Sequence, residues 1–153
     1  MARLRDVIRY LVVKSPSDAS LSRPRLTKLV FLSDWEAACE LGRQLTAIRW
    51  TFTHYGPYVA DVILDVMHDR SLRVREASSA YGMPKSVIAV APGARPAVHL
   101  GPDEQSIVDT VMEQTRPMSW TAFIAHVYNT YPIRSQARYS ELNLVELAAS
   151  RDA

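Results

Sequence analysis

Residues 26–41 read LTKLVFLSDWEAACEL and contain neither glycine nor proline, which predicts an uninterrupted helix. Ser22 is a suitable N-cap, Pro24 suits the first turn, and Gly42 is a good residue to end the helix. At about 100° per residue, the apolar side chains form two stripes on nearly opposite faces. One stripe holds Leu26, Val30, Ala37 and Leu41, and the other holds Phe31, Trp35 and Ala38. We expect this helix to be central, either enclosed by the fold or offering its aromatic stripe to another protein.

The sequence on both sides of this run predicts further helices. Residues 3–14 have apolar side chains at helical spacing, and Ser15-Pro16-Ser17-Asp18 is expected to end that first helix. A fourth helix is predicted to begin at Pro102, because acidic residues in its first turn favour a helix start. A fifth is predicted from Ser119 to Pro132, and a short sixth over residues 142–149.

Alternation of apolar and polar residues predicts a strand after the central helix. Ile48, Trp50 and Phe52 alternate with polar residues, which is typical of a strand with one buried face. Gly56-Pro57 follows, and it predicts a sharp corner into a third helix. Glycine permits the turn, and proline suits the first helical position.

The middle of the chain predicts a small β element. Short strands are expected at residues 72–75 and 87–90, with 97–100 as a third candidate and 91–96 as a loop. The whole pattern predicts a mainly α (α+β) fold, a compact bundle of five or six helices with a small antiparallel β element inserted around residues 48–100. A length of 153 residues, 48% of them hydrophobic and 22% charged, fits a single domain over residues 1–153.

Cysteine content, hydropathy and charge restrict the class of protein. Cys39 is the only cysteine, so no internal disulfide can form, and the sequence lacks the run of about 18 apolar residues that a membrane span needs. With no apolar signal-peptide segment at its start, we expect a cytoplasmic protein. The net charge of +2 is distributed as +5 over residues 1–30, −4 over 31–69, +4 over 70–100 and −3 over 101–153. Such patches steer a complementary partner.

The sequence offers little support for catalysis. Asp61, Asp65, His68 and Asp69 fall on one side of the predicted third helix, where they either bind a metal ion or form a solvated acidic surface, the commoner outcome. Cys39 has alanine and leucine among its neighbours in the sequence, and such apolar surroundings favour an inert buried thiol over a nucleophile. The HExxH, CxxC, P-loop, GxSxG and GxGxxG motifs are absent from the sequence. We therefore expect no enzyme, no metal and no cofactor.

Three stretches taken in order resemble the Panacea domain of SocA-like antitoxins. They are LTKLVFLSDW at 26–35, GRQLT at 42–46 and WTFTHYGPY at 50–58. The matching residues are Lys28-Leu29, Trp35, Gly42, Leu45 and Gly56-Pro57. The resemblance implies a helical protein with a small β element, encoded by a bacterium or phage, that neutralises an adjacent toxin by direct binding.

Aromatic and cationic residues are the candidates for contacting that partner. Tyrosine buries a large area at small rotamer cost and is enriched at interface hot spots. Cations at the start of the central helix oppose its dipole, so an acidic surface on a partner or a phosphate backbone would compensate them. The predicted partner-binding set is Phe31, Trp35, Tyr55, Gly56, Pro57, Tyr58, Arg23, Arg25 and Lys28. The alternatives are core packing for the aromatic rings, a backbone corner for the Gly-Pro pair and solvent-screened charge for the cations.

Two other functions stay open at this point. A DNA-binding transcriptional regulator would use the basic N-terminal region, but residues 119–131 contain no lysine or arginine and make a poor recognition helix. A proteolytic adaptor for the bound partner is implied by the resemblance alone. We therefore expect a cognate protein toxin as the partner, with no membrane and no nucleic acid, and leave homo-oligomerisation open.

Overall fold

The computed structural model describes residues 2–15, 21–78 and 81–151. The mainly α (α+β) fold class is confirmed, with seven helices and five short strands within these ranges. In chain order the elements are α1 (Leu4–Lys14), α2 (Arg23–Leu41), β1 (Trp50–Thr53), β2 (Gly56–Tyr58), α3 (Asp61–Met67), β3 (Leu72–Ser78), β4 (Pro84–Val90), α4 (Pro102–Thr115), α5 (Trp120–Tyr128), α6 (Tyr131–Ser135), β5 (Glu141–Leu142) and α7 (Leu144–Ser150). Ser15 caps α1, as expected, and the rest of the predicted break lies outside the described residues.

Helix α2 is the centre of the fold. Its Ser22 cap accepts a hydrogen bond from the Arg25 amide, and Gly42 ends it in the left-handed conformation with φ 72°, as the sequence predicts. The helix packs against α1, α3, α4 and α7 and against strands β2 and β4. Leu26 and Phe31, from the two opposite stripes, are both fully buried. Of the two arrangements that the sequence left open, the enclosed one is correct for most of this helix.

A buried carboxylate fastens the loop after α2 back onto the helix. Asp34 accepts hydrogen bonds from the Leu45 amide at 3.0 Å, the Thr46 amide at 2.9 Å, the Thr46 hydroxyl at 2.6 Å and the Trp50 indole at 2.9 Å. Burial raises the pKa of Asp34 to about 6, although these donated hydrogen bonds oppose the rise. The ring of Trp50 meets Phe31 edge-on at 5.4 Å. The loop thereby fixes where strand β1 begins.

The predicted strand-to-helix corner at Gly56-Pro57 is wrong. Both residues belong to strand β2, which pairs antiparallel with β1 so that Phe52 lies opposite Pro57, and α3 begins only at Asp61. The strand order is β2-β1-β5, which makes β2 an edge strand. Proline is tolerated there because an edge strand has one side that needs no ladder hydrogen bond. Gly56, with φ 88°, helps to reverse the chain in a hairpin.

The second sheet confirms one prediction and corrects another. Strands β3 and β4 pair antiparallel from Leu72 opposite Val90 out to Ser78 opposite Pro84, as predicted but over a longer stretch. Residues 97–100 form no strand. Side chains of α1 hold that segment instead, since Asp6 accepts a hydrogen bond from the backbone amide of His99 at 3.1 Å.

The C-terminal helices differ from prediction at their boundaries. The predicted fifth helix divides into α5, which ends at Tyr128, and α6, which has Pro132 in its first turn. Proline lacks only an amide that the first turn leaves unpaired, so it starts this helix and does not end one. Asn143 caps α7 by accepting a hydrogen bond from the Glu146 amide, and the residues before it pair with β1 as β5. The division of the fifth helix explains why the structure exceeds the five or six helices expected.

Candidate functional site

An open groove of about 530 Å³ lies where the first turns of α2 meet the β1–β2 hairpin, α3 and α5. We call it the α2–α5 groove. Its volume falls in the range of about 300–1,000 Å³ that is usual for ligand sites. The lining residues are Arg23, Pro24, Thr27 and Lys28 of α2, Tyr55 and Tyr58 of the hairpin, Ile63 of α3, and Trp120, Ile124 and Tyr128 of α5.

Four residues of the predicted partner-binding set meet in this groove, although they come from two separate segments. Arg23 and Lys28 reach it from α2, and Tyr55 and Tyr58 reach it from the hairpin. Tyr55 is 69% exposed and Tyr58 40% exposed, with 6.5 Å between their ring centroids. These rings have a large accessible surface for a partner.

Sequence reasoning missed the wall that α5 contributes. Trp120, Ile124 and Tyr128 follow one another at intervals of four residues, so they lie on one helical face. Phe123 and Val127 are fully buried on the face that meets the core. The sequence does show this groove-lining face as a second apolar stripe on the helix. The same apolar side chains are equally compatible with a helix that is packed in the core on both faces.

Gly56 and Pro57, unlike the tyrosines on either side of them, do not line the groove. Both residues are buried, so in this structure they offer little surface to a partner, and their predicted partner contact stays a prediction. A β-carbon on Gly56 would come within 3.2 Å of the Tyr128 hydroxyl. Gly56 therefore has a positioning role, because its missing side chain lets Tyr128 of the α5 wall pack closely against the hairpin.

The floor of the groove contains a buried cation. Lys28 is only 5% exposed, and within the ranges that the structure describes its ammonium has neither a hydrogen-bond acceptor nor an ion-pair partner. Burial lowers the pKa of Lys28, because the charged form loses solvation. The neighbouring Thr27 is 2% exposed, and its hydroxyl has no hydrogen-bond partner among the described residues either. The floor can therefore offer unused donors to a ligand.

Arg25 is engaged inside the protein. Its Nη2 donates a hydrogen bond to the Thr115 carbonyl at 3.2 Å, and its guanidinium lies 4.3 Å from the ring centroid of Phe123. Burial lowers the pKa of Arg25. The structure thus gives Arg25 the role of tying α2 to the end of α4 and to α5, and places it outside the groove lining.

The two aromatic residues predicted on α2 also lie outside the groove. Phe31 is fully buried, so its ring is unavailable to a partner and belongs to the core. Trp35 is partly buried and stacks on Tyr131 with ring centroids 6.5 Å apart. The candidate site is therefore at the N-terminal end of α2, and the aromatic stripe further along the helix packs within the fold.

The acidic residues of α3 and the turn after it are not gathered into a metal site. Arg9 engages Asp69 through two hydrogen bonds of 2.7 and 3.0 Å, and this lowers the pKa of Asp69 to about 2. Within residues 2–15, 21–78 and 81–151, no group of three or more metal-ligating side chains is placed to hold an ion. None of the helices in those ranges combines the length and hydropathy that a bilayer crossing requires.

A family model described as "Antitoxin SocA-like, Panacea domain" matches residues 26–132, which is more than half of the chain. The matched segment includes every residue of the groove except Arg23 and Pro24. No curated protein and no solved structure matches the chain. The chain therefore belongs to the family of SocA-like antitoxins that the Panacea domain defines.

Proposed function

We propose that this protein is a cytoplasmic antitoxin that neutralises a co-encoded protein toxin by direct, stoichiometric binding, and that the α2–α5 groove is at the centre of the contact. Membership of an antitoxin family supports the general role. The observation that carries the site is the convergence of exposed aromatic side chains from two elements on one concave surface.

The exposure of these aromatic side chains favours a protein interface. Tyr55, Trp120 and Tyr58 are 69%, 46% and 40% exposed. Large exposed apolar groups are costly to leave in water, and tyrosine and tryptophan are enriched at the centres of protein interfaces. Their rigid rings lose little conformational entropy when a partner covers them.

The supports of the groove favour a preformed surface. The hairpin that carries Tyr55 and Tyr58 pairs with strand β5 on its far side, and its first strand begins at Trp50, which Asp34 holds by a hydrogen bond. The α5 wall packs on the core through Phe123. A surface that is already in its binding geometry loses less free energy on association.

The mechanism that we propose is steric occlusion, which needs no cofactor. A stable complex buries about 800 Å² on each partner, so the toxin would also cover surface around the groove. Under steric neutralisation the toxin stays at an unchanged level but is inactive. A proteolytic adaptor would instead lower the amount of toxin.

The test is co-expression of the chain with the product of the neighbouring reading frame. We expect the wild type to restore growth and to co-purify with that product in a fixed ratio, and we expect a Tyr55→Ala/Trp120→Ala double variant to lose both properties while remaining folded. Val145→Ala is the matched control, since Val145 is 41% exposed on α7 and does not line the groove.

Three results would contradict parts of this proposal. If the wild type gives neither rescue nor a complex, the antitoxin function is rejected. If the double variant rescues as well as the wild type, the groove is not the contact. If immunoblots show that the toxin disappears when the antitoxin is present, steric occlusion is replaced by an adaptor mechanism.

A further inference from the structure

We propose that the α2–α5 groove accepts a carboxylate of the protein partner, supplied by an aspartate or glutamate side chain beside an apolar residue, and that Lys28 is its anchor. This inference rests on the proposed function, because it specifies the chemistry that the same surface recognises. It goes further by naming the charge, the anchor and the neighbouring group of the ligand.

The first argument is the state of Lys28 in the free protein. The residue is 95% removed from solvent and has no acceptor or counter-charge within the described residues. Burial of most of the side chain lowers the pKa of Lys28, because the charged form loses part of its solvation, and the ammonium keeps access to solvent without gaining a protein partner among the described residues. A bound anion would offset that loss of solvation, so binding and charge compensation are coupled.

The second argument is the sign of the surrounding charge. The residues that line the groove include two cations, Arg23 and Lys28, and no acidic side chain. Arg23 is the first residue of the 19-residue helix α2, where the helix dipole adds positive potential, and Lys28 lies in the next turn. Arg23 is exposed at the rim and can draw an anion towards the buried Lys28.

The third argument separates a carboxylate from a phosphate. Phosphate sites usually use several backbone amides at a helix N-terminus or a free arginine fork. At this N-terminus the Ser22 side chain and carbonyl accept from the Arg25 and Leu26 amides, and Pro24 has no amide hydrogen. The Arg25 guanidinium is already bonded to the Thr115 carbonyl. Arg23 is exposed at the rim, so the inner part of the groove offers one ammonium and the Thr27 hydroxyl, which suit a singly charged group.

The fourth argument concerns the part of the ligand that lies next to its carboxylate. Tyr58, Ile124 and Tyr128 line the same groove as Lys28 and offer apolar surface beside the charge. A ligand that presents only an anion would leave these side chains in contact with water. A carboxylate next to an aromatic or aliphatic group would cover both parts of the groove.

The first experiment uses the purified chain and three small probes: phenylacetate, the neutral phenylacetamide and phenyl phosphate. The chain has only three lysines, Lys14, Lys28 and Lys85, so side-chain nitrogen NMR can follow each ammonium separately. We expect phenylacetate to shift the Lys28 signal saturably and to leave the other two unchanged. We expect phenylacetamide to bind at least about tenfold more weakly, because it lacks the charge.

Three outcomes of this titration would overturn the inference. Equal shifts of all three lysines would show nonspecific screening. Equal affinity for phenylacetate and phenylacetamide would show that the groove selects apolar surface alone. Tighter binding of phenyl phosphate than of phenylacetate at Lys28 would replace the carboxylate by a phosphate.

The second experiment uses the complex with the co-encoded toxin. Lys28→Met keeps most of the length and the apolar stem of the side chain but removes its charge. We expect the Kd for the toxin to rise at least about tenfold. We also expect the variant to unfold at the same or a higher temperature, because an apolar replacement of a buried charge is often neutral or stabilising. A merely structural lysine would lower the unfolding temperature instead.

Lys14→Met is the matched control, since Lys14 is exposed on α1 and does not line the groove. Unchanged affinity of Lys28→Met for the toxin would overturn the inference while leaving the antitoxin function intact. Failure of the wild type to bind any co-encoded toxin would reject the function itself. The probe titration tests the anion site on the free protein in either case.

Discussion

Tyr128 packs so closely on Gly56 that a β-carbon at position 56 would lie 3.2 Å from its hydroxyl oxygen and 3.3 Å from its ring. Gly56 also has φ 88°, a conformation that other residues adopt only under strain. One glycine therefore satisfies two requirements, the reversal of the hairpin and the close approach of α5. The geometry of the groove depends on both.

Gly56→Ala is expected to destabilise the protein by about 2 kcal/mol, because backbone strain of about 1 kcal/mol adds to the contact with Tyr128. Urea unfolding measures this change. The matched control is Gly93→Ala, because Gly93 has φ +74° but no atom within 4 Å of the place that a β-carbon would occupy, so it reports strain alone. Equal losses of unfolding free energy in the two variants would show that the contact with Tyr128 adds nothing to the cost of backbone strain.

The sequence predicted the central helix correctly because the residues that begin and end this helix are adjacent to it in the chain. Ser22 caps its first turn and Gly42 ends it, and neither depends on a distant part of the chain. Gly56-Pro57 shows the opposite case. The same dipeptide suits a helix start or an edge strand, and only the pairing of Pro57 with Phe52 decides between them.

The groove was predictable only in part. Tyr55 and Tyr58 could be recognised as exposed anchors because a turn usually lies on the surface. Nothing near Lys28 in the sequence indicates that its side chain is buried, since that depends on where the hairpin and α5 lie relative to the start of α2. The stripe that begins at Trp120 needed only helical periodicity, so it could have been found from the sequence.

Tyr58 and Trp35, which the sequence places in the same partner-binding set, are expected to respond differently to truncation. Tyr58→Ala should lower the affinity for the toxin about tenfold and cost less than about 1 kcal/mol of stability, because the ring is partly exposed in the groove. Trp35→Ala should cost about 2 kcal/mol of stability through the lost stacking on Tyr131 and leave affinity unchanged. Titration calorimetry measures the affinity of each variant for the toxin, and thermal unfolding measures its stability. A loss of affinity confined to Trp35→Ala would move the interface away from the groove.

Asp34 is expected to be among the most sensitive residues of the fold. Asp34→Ala should cost about 3–5 kcal/mol, because it leaves the donors of Leu45, Thr46 and Trp50 buried without an acceptor. Denaturant unfolding measures the loss. Asp109→Ala is the control, since Asp109 accepts one hydrogen bond, from the Tyr10 hydroxyl, and should cost only about 1 kcal/mol. Similar losses for the two variants would mean that the Asp34 network contributes no more than a single hydrogen bond.

The ion pair between Arg9 and Asp69 should make stability depend on acid pH. The pKa of Asp69 is lowered from 3.8 to about 2 in the folded protein, chiefly by the hydrogen bond from Arg9. An acid with a lowered pKa binds fewer protons in the folded state, so its stabilisation is complete above the unfolded pKa and falls as the pH drops towards 2. At neutral pH the lowered pKa of Asp69 corresponds to a stabilisation of the folded protein by about 2 kcal/mol.

Asp69→Asn removes the titrating group and allows its contribution to be isolated from other acids, including Asp34, whose raised pKa acts in the opposite direction. The difference in unfolding free energy between wild type and variant should be largest at pH 7 and should shrink by about half at pH 3. Asp61→Asn, on the exposed side of α3, is the control and should show a small difference that does not change in this way. A gap between wild type and Asp69→Asn that stays constant from pH 7 to pH 3 would show that the charge on Asp69 does not contribute to stability.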